Sequence, residues 1–174
     1  MSDGPMRVYI PATLAMLTRL VADGSLRAVS GTAFAVTPAL RESYAHGDDD
    51  ELAEVALGEA ALASLRLLGA AGTGADSESL PTRRAVLIAE VEAVTARPDL
   101  DAAVVRLAEP VAIGDVIAAY VDNAAAEPAV RAAVAAIDAA DLGDEDAELT
   151  VGDAQDHDLA WYATQELPFL LDLL

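Results

Sequence analysis

Arg7-Val8-Tyr9-Ile10 is a short β-branched and aromatic run stopped by Pro11, which predicts a strand. Leu14, Leu17 and Val21 then recur at helical spacing, with Thr13 placed to cap that helix and Asp23-Gly24 to close it. The device repeats: Thr32 to Val36 reads as a strand, and Thr37-Pro38 as an N-cap with proline at the first helical position. Asp48-Asp49-Asp50-Glu51 puts negative charge at the start of the longest helical pattern, residues 50–70, where it suits the helix macrodipole. Leu52, Val55, Leu62, Leu65 and Leu68 form an apolar face too broad for one neighbour, so this is predicted to be the central packing helix. Gly69 to Pro81 is the clearest loop and the expected mobile segment.

Ala85 to Ala89 is continuously apolar and, extended to Val91, predicts a strand buried on both faces. Arg97-Pro98-Asp99 marks a turn into a strand over Ala103 to Leu107, which is expected to pair with 85–91 as an antiparallel hairpin with a long connection. Residues 111–123 are read as a short helix and then a strand, Val116 to Val121 being the ambiguous stretch. Pro128 opens a helix on Val130, Val134 and Ile137, ended by Leu142-Gly143, whose opposite face is nearly all alanine. The acidic segment Asp144 to Glu148 leads to a last helix around 155–167, which Pro168 interrupts before an apolar tail, Phe169 to Leu174. Strand–proline–helix junctions recur at Pro11, Pro38 and Pro110 without a fixed period, so no internal repeat is inferred. The predicted fold class is α/β (or α+β): a single domain over 6–174 with a mixed sheet of four to five strands, 85–91 central, packed by helices near 13–23, 50–70 and 128–141. Residues 1–5 read as a leader or an appended remnant.

Composition narrows this picture. Alanine supplies 40 and leucine 23 of the 174 residues, and this apolar content is enough to bury a core, which excludes a disordered chain. Cysteine is absent, which excludes disulfides and thiol chemistry. No apolar run approaches the roughly 20 residues that span a bilayer, and no secretory pattern opens the chain, so a cytoplasmic protein is expected. Thirty acidic residues face ten basic ones, all arginine, for a formal charge of −20. With Arg83-Arg84 as the densest basic spot, nucleic acid and anionic membranes are disfavoured, while a basic protein, a cation or a cationic ligand remains compatible.

Candidate chemistry concentrates in residues 156–166. On the predicted helix, His157, Trp161 and Gln165 would line up beside an adjacent row of Asp158, Tyr162 and Glu166, giving a polar site with His157 as base or metal ligand, Asp158 and Glu166 as acids and Trp161 as a wall. His46 with Asp48 to Asp50, and Asp141 with Asp144, Asp146 and Glu148, are acidic clusters without the spacing of a calcium loop, and no metal is expected at either. Glu90 and Glu92 project from one strand face, where paired carboxylates could do acid–base work but more simply mark the strand leaving the core. Gly69 to Gly74 follows a helix and lacks lysine, so no phosphate loop, nucleotide or other cofactor is expected. No nucleophile elbow is present either.

Three segments together carry a resemblance: Arg7 to Leu14, Asp138 to Glu148, and His157 to Pro168. They are similar to a family of short acidic proteins of unknown function from high-GC actinobacteria, over nearly the whole chain from Met6. The resemblance implies an actinobacterial cytosolic protein and carries over no catalytic or binding residue. Two readings of function follow from the residues. The first is a non-catalytic acidic domain working through protein contacts or self-association, with the tail (Leu167, Phe169, Leu170, Leu171, Leu173, Leu174) either docked on the core or forming a homodimer contact. The second is a small-ligand-binding protein or enzyme with its site at His157, Trp161, Gln165 and Glu166. Carboxylates spaced as a DNA mimic would need are not found, since they cluster in loops and helix starts.

Overall fold

A computed structural model describes residues 5–44, 46–71 and 80–174. The strands are β1 (Met6–Ala12), β2 (Ser25–Leu26), β3 (Thr32–Phe34), β4 (Ala85–Val91), β5 (Val94–Ala96), β6 (Val104–Leu107), β7 (Val111–Ala112), β8 (Val116–Val121) and β9 (Ala160–Ala163). The helices are α1 (Leu14–Asp23), α2 (Pro38–Ser43), α3 (Asp49–Ala71), α4 (Glu127–Asp141), α5 (Glu145–Gln155) and α6 (Leu167–Asp172). Thr13 and Thr37 cap α1 and α2 as predicted, each hydroxyl accepting a backbone N–H three residues on. Gly24 closes α1 at φ 79°, in the left-handed region.

The sheet has seven strands in the order β5-β6-β3-β1-β4-β8-β9, and every pairing is antiparallel; β2 and β7 form a separate two-stranded ribbon. The expected mixed sheet of four to five strands is thereby corrected. β4 does lie in the interior, between β1 and β8, but its expected hairpin with 103–107 does not form, because β6 pairs with β3 and β5 instead. Only Glu92 and Ala93 separate β4 from β5, and three Cα steps reach at most about 11 Å. A flat sheet would place those two strands four spacings apart, about 19 Å. The sheet therefore curls until its β5 edge follows directly from β4, with the bend at Ala93, whose φ is 57°.

One face of the sheet (Val8, Ile10, Ala12, Leu87, Val105, Val121) is covered by α1 and by Leu167 and Leu170 of α6. The other face (Tyr9, Phe34, Val86, Ile88, Val104) is covered by α3 through Leu52, Ala56 and Ala60. α3 is the central helix that its broad apolar face predicts: its other side meets α4 and α5 through Leu65, Val130, Ala133, Ile137 and Val151. Buried Ser64 fixes it in place, donating to the Ala12 carbonyl at 2.7 Å and accepting from the Ala85 N–H at 3.1 Å. α3 continues through Ala71, past the Gly69 where the loop is expected to begin, and residues 72–79 of that expected mobile segment lie outside the described residues, as do residues 1–4.

The helix predicted over 155–167 is not there. α5 ends at Gln155, a loop follows, and β9 and a short turn precede α6. The tail is ordered and divided: Leu167 and Leu170 are buried, whereas Phe169 and Leu173 project outward. Among the described residues no helix is long and apolar enough to cross a membrane.

Candidate functional site

The residue that organises the site is Arg84, immediately before β4. Its neighbour across the sheet is Asp122, immediately after β8, because Ala85 pairs with Val121 and both charged residues lie one step beyond that pair. The Arg84 N–H and Nε donate to Asp122 Oδ2 at 2.7 and 2.9 Å, and Nη2 donates to Oδ1 at 2.7 Å. The two side chains are 2% and 0% exposed, so this is a buried, bidentate pair whose desolvation is offset by hydrogen bonds on both partners. Nη2 also donates to the His157 carbonyl at 2.8 Å, which ties the loop after α5 to the end of the sheet. Arg83 is bound internally as well, to Glu127 at 2.8 Å and to the Asp122 carbonyl at 3.3 Å. The densest basic spot of the sequence is thus spent within the fold and presents no basic patch.

Beside this pair lies a groove of about 640 Å³. One wall is the side of α3 that carries Glu54 and Glu59; the other is the loop bearing His157 and Asp158; Tyr120 of β8 and Arg84 complete it. Glu59 is held partly out of water, and that burial, together with the charge of Asp101, raises its pKa against the opposing pull of Arg66. Tyr120 packs against the α3 side of the sheet and stands opposite Val86 on β4 and Trp161 on β9.

The four residues singled out from the sequence do not converge. His157 lines the groove, its N–H bonded to the Ala154 carbonyl at 3.1 Å. Trp161 lies on edge strand β9, more than half exposed. Gln165 and Glu166 sit in the turn after β9, where Glu166 Oε1 accepts the Ala163 N–H at 3.0 Å. Glu166 therefore covers an edge donor rather than facing His157. Helical spacing aligns these residues only if 155–167 forms one helix, and it does not. The residues that sequence reasoning missed are Glu54, Glu59, Arg84, Tyr120 and Asp122. The available signal was a charge flanking each of two apolar runs, 85–91 and 116–121, and it becomes informative only once the runs are paired.

The acidic clusters have structural work. Asp48 Oδ1 accepts the Glu51 N–H at 2.8 Å and Asp144 Oδ1 the Ala147 N–H at 2.9 Å, so both begin helices. Glu90 pairs with Arg7 across β1 and β4 at 3.3 Å. Among the described residues no group of three His, Asp or Glu side chains is gathered closely enough to hold a metal ion.

No curated protein and no solved structure matches the chain. One family model does, over residues 6–171, and its description is a family of unknown function (DUF6912). That span runs from the first residue of β1 to the penultimate residue of α6, so it takes in the sheet, the six helices of the described residues and the groove. The chain belongs to this family of unknown function.

Proposed function

We propose that the protein is a non-catalytic binding domain whose groove between α3 and the 155–159 loop receives a basic segment of a protein partner. The observation that carries this reading is the charge of the groove wall. Glu54, Glu59 and Asp158 contribute carboxylates, while the one arginine lining it among the described residues, Arg84, is already neutralised by Asp122. A lysine or arginine side chain from outside finds acceptors there, since the nearby Arg66 is held by Asp141, and the net charge of −20 steers such a partner inward. The cytoplasmic, actinobacterial setting implied by the sequence resemblance belongs to the same proposal.

A second reading rests on α6. Phe169 and Leu173, 71% and 85% exposed, lie one helical turn apart and form an apolar step suited to a second copy of the chain. Light scattering over a range of concentrations checks it: a mass that doubles, and reverts in F169S/L173S, supports dimerisation.

The groove reading is tested with a fluorescent lysine-rich peptide at about 0.15 M salt, where exposed charges are screened beyond about 8 Å. E54Q/E59Q is expected to weaken binding about tenfold, equivalent to about 1.4 kcal/mol. The control E42Q/D153N removes the same charge from exposed positions outside the groove and is expected to change affinity less than twofold, within the small worth of screened surface charge. Equal losses in both variants contradict the proposal. So does a small diamine that binds better than the peptide.

A further inference from the structure

β9 ends the sheet on one side, and the ladder shows which of its main-chain groups face outward. Backbone groups alternate along an antiparallel strand between its two flanks. The Asp122 N–H donates to the Arg84 carbonyl at 3.1 Å, so Tyr120 and Ala118 also point at β4, whereas Ala119 and Val121 point at β9. Their partners Tyr162 and Ala160 therefore bond to β8, and the main-chain groups of Trp161 and Ala163 turn away from the sheet. Ala163 agrees with this parity, because its N–H is taken by Glu166 Oε1 at 3.0 Å. Trp161 has no such guard among the described residues, and both its N–H and its C=O lie on the open edge. An unguarded donor and acceptor on an edge strand are what an extended chain adds to.

The side chains define the occupant. Trp161 stands opposite Tyr120, which places its indole, 56% exposed, on the α3 side of the sheet, where Tyr120 lines the groove. The groove loop, 155–159, runs directly into β9. A strand laid along Trp161 would set every second side chain on that same side, against the indole. Asp158 precedes β9 and Glu166 follows it, in a chain of net charge −20. A lysine or arginine on the added strand meets an aromatic face with carboxylates at both ends, whereas a second copy of this chain would bring acid against acid.

We propose that the open edge of β9 receives the basic segment of a protein partner as an added strand, which accepts from the Trp161 N–H and donates to the Trp161 carbonyl, while Glu166 stops the ladder at Ala163. This rests on the groove reading and deepens it: the segment that enters the groove continues, extended, along β9.

An alternating lysine–valine peptide tests this on the intact protein, in two isomers, one N-methylated at every lysine and the other at every valine. Their charge and composition are the same, but an added strand turns only alternate N–H groups toward β9, so one isomer loses those donors and the other keeps them. Their affinities are expected to differ at least about tenfold, the worth of one or two hydrogen bonds. Hydrogen exchange followed by NMR should show the Trp161 amide newly protected in the tighter complex alone. Shifts at residues 54–62 and 155–159 with equal affinities and an unprotected Trp161 amide overturn the inference and leave the groove reading standing. A Trp161 amide already protected without peptide, in protein whose mass doubles with concentration, gives the edge to a second copy and overturns it as well. If neither isomer perturbs the groove residues, the groove reading itself fails and the inference falls with it.

Discussion

Arg84 and Asp122 illustrate how a buried ion pair is tolerated: the carboxylate accepts three hydrogen bonds from one residue, and the guanidinium passes a fourth to the loop. Removing one partner leaves the other charged and out of water, which costs about 3–5 kcal/mol. Asp122→Ala is therefore expected to lose that much in urea unfolding at pH 7, and a loss below about 1 kcal/mol would show that the charge finds solvent after all. Glu59 behaves oppositely, because burial and Asp101 favour its protonated form. With the folded pKa above the unfolded one, its favourable contribution is fully present below the unfolded pKa and is lost as pH rises through the folded pKa. At pH 7 the ionised carboxylate is a burden on the fold, so E59Q is expected to melt no lower than the wild type while binding the basic peptide more weakly. The peptide affinity should also fall, on acidification from neutral pH, before ordinary surface carboxylates titrate, and E59Q should remove that early part of the profile. A lower melting temperature in E59Q, or an unaltered pH profile, would show that Glu59 serves structure rather than binding.

Among the elements, α6 offers the sharpest contrast between neighbouring residues. Leu170 is buried against the core, whereas Phe169 and Leu173 face outward. Leu170→Ala is expected to cost about 2–5 kcal/mol in equilibrium unfolding, whereas Phe169→Ser should stay within about 0.5 kcal/mol. Comparable losses would mean that the outward face is covered in solution. The tail's order was legible in the sequence because its apolar density demands burial, but its division was not, since that depends on which side meets α1. β1, α1, α3, β4 and α4 were legible for a related reason: each carries a cap or an apolar periodicity written within its own residues. α5 was not, because its buried face is only Ala147, Val151 and Ala154 among acids. β9 was not either, because Ala160-Trp161-Tyr162-Ala163 becomes a strand by pairing with β8, some 40 residues earlier. Of the candidate site, His157 and Asp158 could be read from the sequence. Arg84, Asp122 and Tyr120 acquire meaning from the register of β4 against β8, which is a long-range fact.

At the scale of the molecule, excess negative charge repels within one compact body and is screened over about 10 Å at 0.1 M salt. The melting temperature is expected to rise between low and moderate ionic strength, while affinity for a basic peptide falls over the same range. A melting temperature that is unchanged, or higher at low salt, would mean that the carboxylates are already spaced or paired to avoid strain. The groove lies where three layers meet: α3 on the sheet, the end of β4 and β8, and the loop that Arg84 ties down. Its occupancy by a basic segment is the central claim, and shift mapping on the uniformly ¹⁵N-labelled protein tests it most directly. Titration with a lysine-rich peptide at about 0.15 M salt, where screening suppresses diffuse attraction, should perturb residues 54–62 and 155–159 together with Tyr120. Perturbation confined to the exposed face of α6, or spread over every acidic surface without a maximum at the groove, would contradict it.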